Sequence, residues 1–350
     1  MFLAIRELFY AKTRFLLIGF IIVLIASLIF IISGLAKGLS ANNASALQEL
    51  PADYIVMEKG ADTELAKSLV PKQALESIQD IKGIQDVAPL TVRMANTTTT
   101  SGKAVDLALF ITDEKSMLLP KAIQGKSLAS KKDILVDQTI QDDGVKLGEK
   151  LTFADQTFHV AGFTEDQRYS HTPVAYMTDN QADKVNAFAI KTSMDQQQVQ
   201  DKLKNYSVFT KKEALKGIPS YSEEQASLNM MIVFLLIIAA FVLAVFFYVM
   251  TLQKRGQFGI LKALGAKTGY LIKNLLGQVA TISVVCIAIG AGLTYVIGNV
   301  LPDGMPFVIS ASSLLQSSLL ILVMALLGSL VSMFQVAKID PLEAIEGGEK

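Results

Sequence analysis

The 350-residue sequence has a single cysteine, Cys286, so an internal disulfide framework and any cysteine-built zinc or iron–sulfur site are excluded. Histidine is nearly as scarce, His159 and His171 being the whole supply, too few for a multi-histidine metal centre. Tryptophan is absent, and charged residues make up 18%, against roughly 25% in an average soluble protein. Lys+Arg and Asp+Glu each number 32; zero formal charge argues against nucleic acid, whose binding needs a cationic excess to displace phosphate counterions. The sequence also lacks a Gly-x-Ser-x-Gly elbow, a phosphate-cradling Gly-x-x-x-x-Gly-Lys and a His-Glu-x-x-His pair. Ser170 adjoins His171, but adjacency in sequence does not make a nucleophile–base pair. No catalytic residue, intrinsic cofactor or resident metal is expected, and any ATP hydrolysis must come from another chain.

What the sequence has in excess is apolar length. Hydrophobic residues reach 51%, gathered into charge-free blocks at Phe15–Leu35, Leu228–Leu252, Leu275–Val300 and Leu314–Val336. Each is about 20 residues or longer, enough at a rise of about 1.5 Å per residue to cross a hydrocarbon core. The first is too long for a signal-peptide core and continues into the polar SGLAKGLS, so it reads as a retained membrane helix. Lys and Arg set the orientation. Arg6, Lys12 and Arg14 precede the first block, Lys254, Arg255, Lys262, Lys267 and Lys273 lie between the second and third, and Lys338 follows the fourth. The connection LPDGMPFVISASS between the third and fourth has none. Both termini and the 253–273 loop are therefore expected in the cytoplasm, and residues 38–226 outside the cell, in a multi-pass cell-membrane protein.

The expected fold is membrane α-helical, with four transmembrane helices and an inserted extracytoplasmic α+β domain. Residues 1–37 would form an amphipathic helix and the first span; 38–226 the outer domain; 227–252 the second span; 253–273 a cytoplasmic coupling loop; and 274–350 the third and fourth spans with a short tail. Within the mildly acidic outer segment, ADYIVMEKG, KAVDLALFITD, KDILVDQTI, EKLTFADQTFHVAGFTED and PVAYMTD read as strands. PKQALESIQDIKG, TDNQADKVNAF and SMDQQQVQDKLKNY read as amphipathic helices, and ANTTTTSGK as a polar loop. Small residues four apart, Ala288 with Gly292 and Gly328 with Ser332, are expected to pack the third span on the fourth. By elimination the first and second spans face a second copy.

The loop TLQKRGQFGILKALGAKTGY places Phe258, Leu261 and Leu264 on one stripe of a short helix, with Gly265 suited to end it in the left-handed conformation. Such a helix lies at the headgroups or docks a cytoplasmic partner. The run Lys254, Arg255, Gly259, Ile260, Leu261, Lys262, Ala263, Leu264, Gly265 and Ala266 resembles the coupling signature of FtsX/MacB-like (type VII) ABC transporter permeases. Gln257-Phe258 stands where that family usually has an acidic then an apolar residue. AIRELFYAKTRFLLI resembles its entrance helix and first span, and VAKIDPLEAIEGG its ending, with Lys338, Asp340, Pro341, Glu343 and Ala344 in register. The resemblance implies a permease homodimer in the lipid bilayer, driven by a separate cytoplasmic ATPase through mechanotransmission. Phe258, Ile260, Leu261, Leu264 and Gly265 would then be the ATPase-coupling residues.

MFLAIRELFYAKTRFLLIGF and RYSHTPVAYM resemble the haem-exporting (HrtB-type) members of that family in Gram-positive bacteria, which implies haem as transported substrate. A porphyrin needs a flat apolar slot, an axial donor and cations for its propionates. Met57, Glu58, Arg168, Tyr169, His171, Glu223, Glu224 and Met230 are candidates, with Met231 beside them and Lys37 for a propionate. Glu223 and Met230 are seven apart, hence on one helix face. Each also has an ordinary reading: Met as helix packing, Glu as a solvated first turn, Tyr169 as an interfacial anchor, Lys37 as a snorkelling side chain. Export of an amphipathic peptide, antibiotic or lipid, and FtsX-like activation of an extracellular cell-wall hydrolase, stay open as alternatives.

Overall fold

The computed structural model describes residues 12–99, 102–153, 155–179, 182–302 and 304–338. The amphipathic helix expected at the extreme N-terminus and the Asp340–Ala344 motif lie outside the described residues. The chain divides into two compact units, Met1–Gly38 with Ser227–Lys350, and Leu39–Ala226.

The first unit is helical. It takes the front of α1 (Lys12–Gln48), most of α5 (Tyr221–Gln253), the short α6 (Arg255–Ala263), α7 (Thr268–Gly298) and α8 (Ala311–Lys338). Four of these helices are long and apolar enough to cross a membrane. Their outward faces carry large apolar side chains that a soluble core would have covered, among them Phe20, Phe234, Phe241 and Leu315. Inside, Ile18, Ile22, Leu243, Phe247, Leu275, Val279 and Ala325 form one cluster, and Ala26, Ile29, Phe30, Leu236, Ile287 and Ile321 another.

Small residues bring the helices close, though not where their spacing suggested. A Cβ on Gly290 would meet Ala26 and Ser27 of α1 at 3.0–3.3 Å, and one on Gly328 would meet the α5 backbone at Ala240 at 2.9 Å. Ser27 Oγ donates to Gly290 O at 3.4 Å across the first of these contacts. Ala288 and Gly292 instead lie exposed, with open space around Gly292. The expected packing of the third span on the fourth through that pair is therefore corrected: the close approaches are α7 on α1 and α8 on α5. The α7–α8 connection folds back over α1. The Phe307 ring fills the space a Cβ on Gly34 or Gly298 would take, 2.4 and 2.8 Å away, and the Pro306 carbonyl sits 2.2 Å from the Gly38 position. Val308 N–H donates to Gly34 O at 3.1 Å, and Lys37 Nζ to Ser310 Oγ at 2.8 Å. The Gly34-x-x-x-Gly38 spacing thus receives a loop of the same chain.

The second unit is the α+β domain. Its strands are β1 (Tyr54–Glu58), β2 (Val70–Pro71), β3 (Ile84–Thr98), β4 (Ala104–Thr112), β5 (Gln124–Gly125), β6 (Asp133–Asp137), β7 (Lys150–Phe153), β8 (Gln156–Thr164), β9 (Arg168–Tyr169), β10 (Thr172–Thr178), β11 (Lys184–Val185), β12 (Ala187–Thr192) and β13 (Tyr206–Thr210). Between them lie the helices α2 (Ala74–Gln79), α3 (Gln196–Lys202) and α4 (Lys211–Ala214). The main sheet runs β13-β1-β12-β3-β4-β10-β6-β8-β5, with β7 on β8 and β9 on β10. Pairing is antiparallel except for β4 with β10 and β6 with β8. Apolar clusters cover its faces, one around Ile55, Phe110, Leu135 and Tyr176, another around Val136, Phe158 and Phe163, a third around Val56, Phe188 and Ile190.

Two local expectations are overturned. TDNQADKVNAF contains strands, not a helix: β11 and the start of β12 occupy its second half. β12 is central, between β1 and β3, and Ala187, Phe188, Ala189 and Ile190 are all buried, so its apolar run has no alternation to betray it. Asn186 fixes the join by accepting Val92 N–H at 2.8 Å and donating to Ser68 O at 2.9 Å. ANTTTTSGK is largely strand as well, since β3 runs to Thr98 in register with Ala104 of β4. Its threonines are β-branched and suit an extended backbone.

Candidate functional site

The polar cluster of the outer unit is built on the β9–β10 hairpin. Thr172 pairs with Tyr169 and Pro173 with Arg168, leaving Ser170 and His171 as a two-residue turn with φ of +50° and +62°. That turn is normally filled by Asn-Gly, because a left-handed residue with a Cβ costs about 1–2 kcal/mol. The strain is held by neighbours on the end of α1: Ser170 N–H donates to Asn43 O at 2.7 Å, and Arg168 N–H to Ser45 Oγ at 2.9 Å. Arg168 Nη1 also donates to His171 O at 3.0 Å, closing the turn on itself.

So placed, the His171 ring touches two helices. Its Nδ1 lies 3.3 Å from Asn42 Oδ1 on α1, and its Nε2 lies 3.0 Å from Glu224 Oε1 in the first turn of α5. Glu224 Oε2 accepts from Asn43 Nδ2 at 3.1 Å, and the helix N-terminus favours its charge. Ser40 Oγ and Tyr221 OH, 3.0 Å apart, add a further bridge between the same two helix ends. Asn43 is fully buried and its Oδ1 has no partner. A polar cleft of about 260 Å3 opens beside the turn, lined by Asp106, Thr139, Asp143, Arg168 and His171 among others. It is smaller than the usual pocket for a drug-sized ligand.

Arg168, His171 and Glu224 are thus brought together; other candidates are not. Met57 is fully buried in the core beside Ile55 and Leu65, where it packs and offers no sulfur to a ligand. Tyr169 is likewise a core residue, its ring edge-on to Phe110 at 5.5 Å, and burial pushes its phenol up to about 12. Both are corrected from ligand candidates to packing residues. Glu58 sits at the end of β1, where its Oε2 accepts Leu69 N–H at 3.1 Å. Glu223 is exposed in the outer unit. Met230 and Met231 are exposed on α5 in the helical unit, and Lys37 is held by Ser310. Asn42, Asn43 and Ser45, absent from the sequence-level candidates, contribute as much as any of these. The run SANNASA held the signal, because two adjacent asparagines are unfavourable inside a helix unless something bonds them.

In the helical unit, α6 separates into an anchored and a free side. Phe258 is buried in the cluster with Phe247 and Leu275, and Leu261 packs partly against it. Lys254 is also buried, its Nζ 3.5 Å from Gln278 Oε1 of α7. Ile260 and Leu264, four apart, are 54% and 79% exposed. The helix ends in a Schellman motif: Ala266 N–H donates to Leu261 O at 2.9 Å, Gly265 N–H to Lys262 O at 3.0 Å, and Gly265 takes φ +91°. Lys262 Nζ reaches Ala337 O of α8 at 3.2 Å. Phe258 is therefore corrected from a docking residue to the anchor; Ile260 and Leu264 form the surface a partner could touch.

Family models match both parts of the chain: the MacB-like periplasmic core domain over residues 15–206, and the FtsX-like permease C-terminal domain over residues 229–341. A protein of Staphylococcus haemolyticus named "Putative hemin transport system permease protein HrtB" is 31% identical, with 99% of each chain covered. A protein of the same name from Staphylococcus epidermidis is 32% identical over 99% of both chains. An ABC transporter permease of Mycobacterium tuberculosis, of uncharacterised activity, is 21% identical over the same share. The crystal structure of the periplasmic region of MacB from Actinobacillus actinomycetemcomitans aligns with 48% of this chain and 95% of its own, at 14% identity and a TM-score of 0.38. With a core-domain model spanning more than half its residues and full-length relatives above 30% identity, the chain belongs to the FtsX/MacB-type ABC transporter permeases, as a membrane protein with four spanning helices and a large outer α+β domain.

Proposed function

We propose that the chain is the permease of an ABC-type efflux pump that exports haem, working as a homodimer driven by a separate cytoplasmic ATPase. The observation that carries this reading is full-length similarity to relatives named for hemin transport, at 31–32% identity with no unmatched domain on either side. The permease itself catalyses nothing: ATP is hydrolysed on the partner, and α6 receives the motion at Ile260 and Leu264. Both chain termini and α6 face the cytoplasm in this account.

Haem is flat, apolar and edged by two carboxylates. On α5, Met230, Phe234, Ile238 and Phe241 form one exposed apolar stripe at helical spacing, suited to a porphyrin face or to the second copy that encloses it. Met230, Glu223 and Glu224 supply axial donors, and Lys37 supplies a cation. His171 ties the outer ends of α1 and α5 to the α+β domain, so that a shift of either helix is carried into that domain. Cells making the chain together with its ATPase should hold less haem under toxic haem than cells making either one. Equal accumulation in all three would overturn haem as the cargo; rescue from an amphipathic peptide or antibiotic instead would reassign it.

A further inference from the structure

The sheet of the outer unit ends in two unlike edges. One is β5, two residues long and turned away at Gly125, whose φ is +86°. The other is β13, five residues of sequence YSVFT, free of charge, proline and glycine. Aromatic and β-branched residues favour strands, and such a run on an open edge is a template for recruiting another strand.

Its register with β1 sets Glu58 opposite Tyr206, Val56 opposite Val208 and Tyr54 opposite Thr210. Ser207 and Phe209 turn their backbone groups toward β1, and Tyr206, Val208 and Thr210 turn theirs outward. The outward groups are occupied by the protein itself. Tyr206 N–H donates to Leu203 O at 3.0 Å. Gln200 of α3 donates its Nε2–H to Tyr206 O at 2.8 Å, and its Oε1 accepts Val208 N–H at 2.9 Å. Gln196 Nε2 donates to Val208 O at 2.9 Å, and Glu213 Oε2 accepts Thr210 N–H at 2.8 Å. The Thr210 N–H is also the foremost influence holding the Glu213 carboxyl below its usual range, which keeps it an acceptor.

A primary amide carries one donor face and one acceptor face, as a peptide unit does. Gln200 therefore makes to β13 the pair of bonds that a residue of a neighbouring strand would make. Capping of α3 does not explain it, because that role belongs to Asp195 and Gln198, which form the capping box. Val199, buried between the two glutamines, seats the helix against the strand's cluster.

We propose that α3 is a built-in strand surrogate, whose Gln196 and Gln200 side chains keep the β13 edge closed to the same edge of a second copy. Self-pairing of two YSVFT edges about a two-fold axis is the contact it forecloses. Nothing in this depends on what the chain transports.

The test uses the full chain in lipid nanodiscs, read by amide hydrogen exchange and by mass. In Gln200→Ala the Val208 amide should exchange at least about tenfold faster, as expected for a lost protecting bond, while Ser207 and Phe209 stay slow. Gln196→Ala/Gln200→Ala should associate with rising concentration beyond the state of the unaltered chain, and Gln197→Ala, an exposed neighbour, should not. Should the double variant fail to assemble, Gln200→Glu, which still accepts Val208 N–H but sets an oxygen against Tyr206 O, reads the same two quantities. An unchanged Val208 amide, or an opened amide without added association, would overturn the proposal.

Discussion

Leu264→Asp should abolish export while leaving the permease folded and its cargo binding intact. Leu264 is 79% exposed on α6, so a carboxylate there is solvated and costs the fold little. What it removes is an apolar contact that only a partner could make, and it sets a charge where that contact would be desolvated. Export should fall by at least about tenfold, the equivalent of about 1.4 kcal/mol of coupling free energy. Phe258→Asp, three-quarters of a heptad away, should behave differently. Phe258 is 3% exposed in the helical core, and an unpaired carboxylate buried there costs several kcal/mol. That variant should lose thermal stability and assembly, and export with them. Measuring melting temperature, haem binding and ATP-driven export on both separates a docking residue from an anchoring one. A Leu264→Asp protein that exports normally would show that α6 is not where the ATPase engages.

His171→Gly should leave stability nearly unchanged and still depress export by about tenfold, or about 1.4 kcal/mol. Two opposing effects meet at this position. Glycine relieves a left-handed backbone at φ +62°, a gain of about 1–2 kcal/mol. Losing the ring removes its contacts with Asn42 and Glu224, each worth about 1 kcal/mol net. The sums are comparable, so the melting temperature moves little, whereas the link between the ends of α1 and α5 is cut. Ser170→Gly relieves the same kind of strain without touching the ring, and should raise stability with export unchanged. If His171→Gly exports as well as the unaltered chain, the ring is a structural pin with no part in transmission.

The helical architecture was legible in the sequence because four long charge-free blocks admit few other readings. The outer domain was legible where strands alternate, as in β4 and β8. It was misread where a central strand is apolar on both faces, as in Ala187–Ile190, and where threonines continue β3 to Thr98. Periodicity carries no information about a strand buried on both sides, and polar composition does not distinguish a loop from a β-branched edge. Among site residues, the stripe of α6 was visible from spacing, but spacing cannot say which end of a stripe is buried. Phe258 and Leu264 share that stripe and have opposite environments. Tyr169 and Met57 carried the right donor chemistry in the wrong place, since donor type does not reveal burial. Asn42 and Asn43 became visible only when the hairpin that bonds them was placed.

The central claim is that this chain turns a partner's ATP hydrolysis into outward movement of haem. Its most direct test is haem movement across proteoliposomes that hold the purified permease with its ATPase. The account predicts saturable haem transfer that requires ATP and both proteins, and that fails with Leu264→Asp at unchanged haem binding. Haem crossing at the same rate without ATP, or with the permease left out, would contradict it.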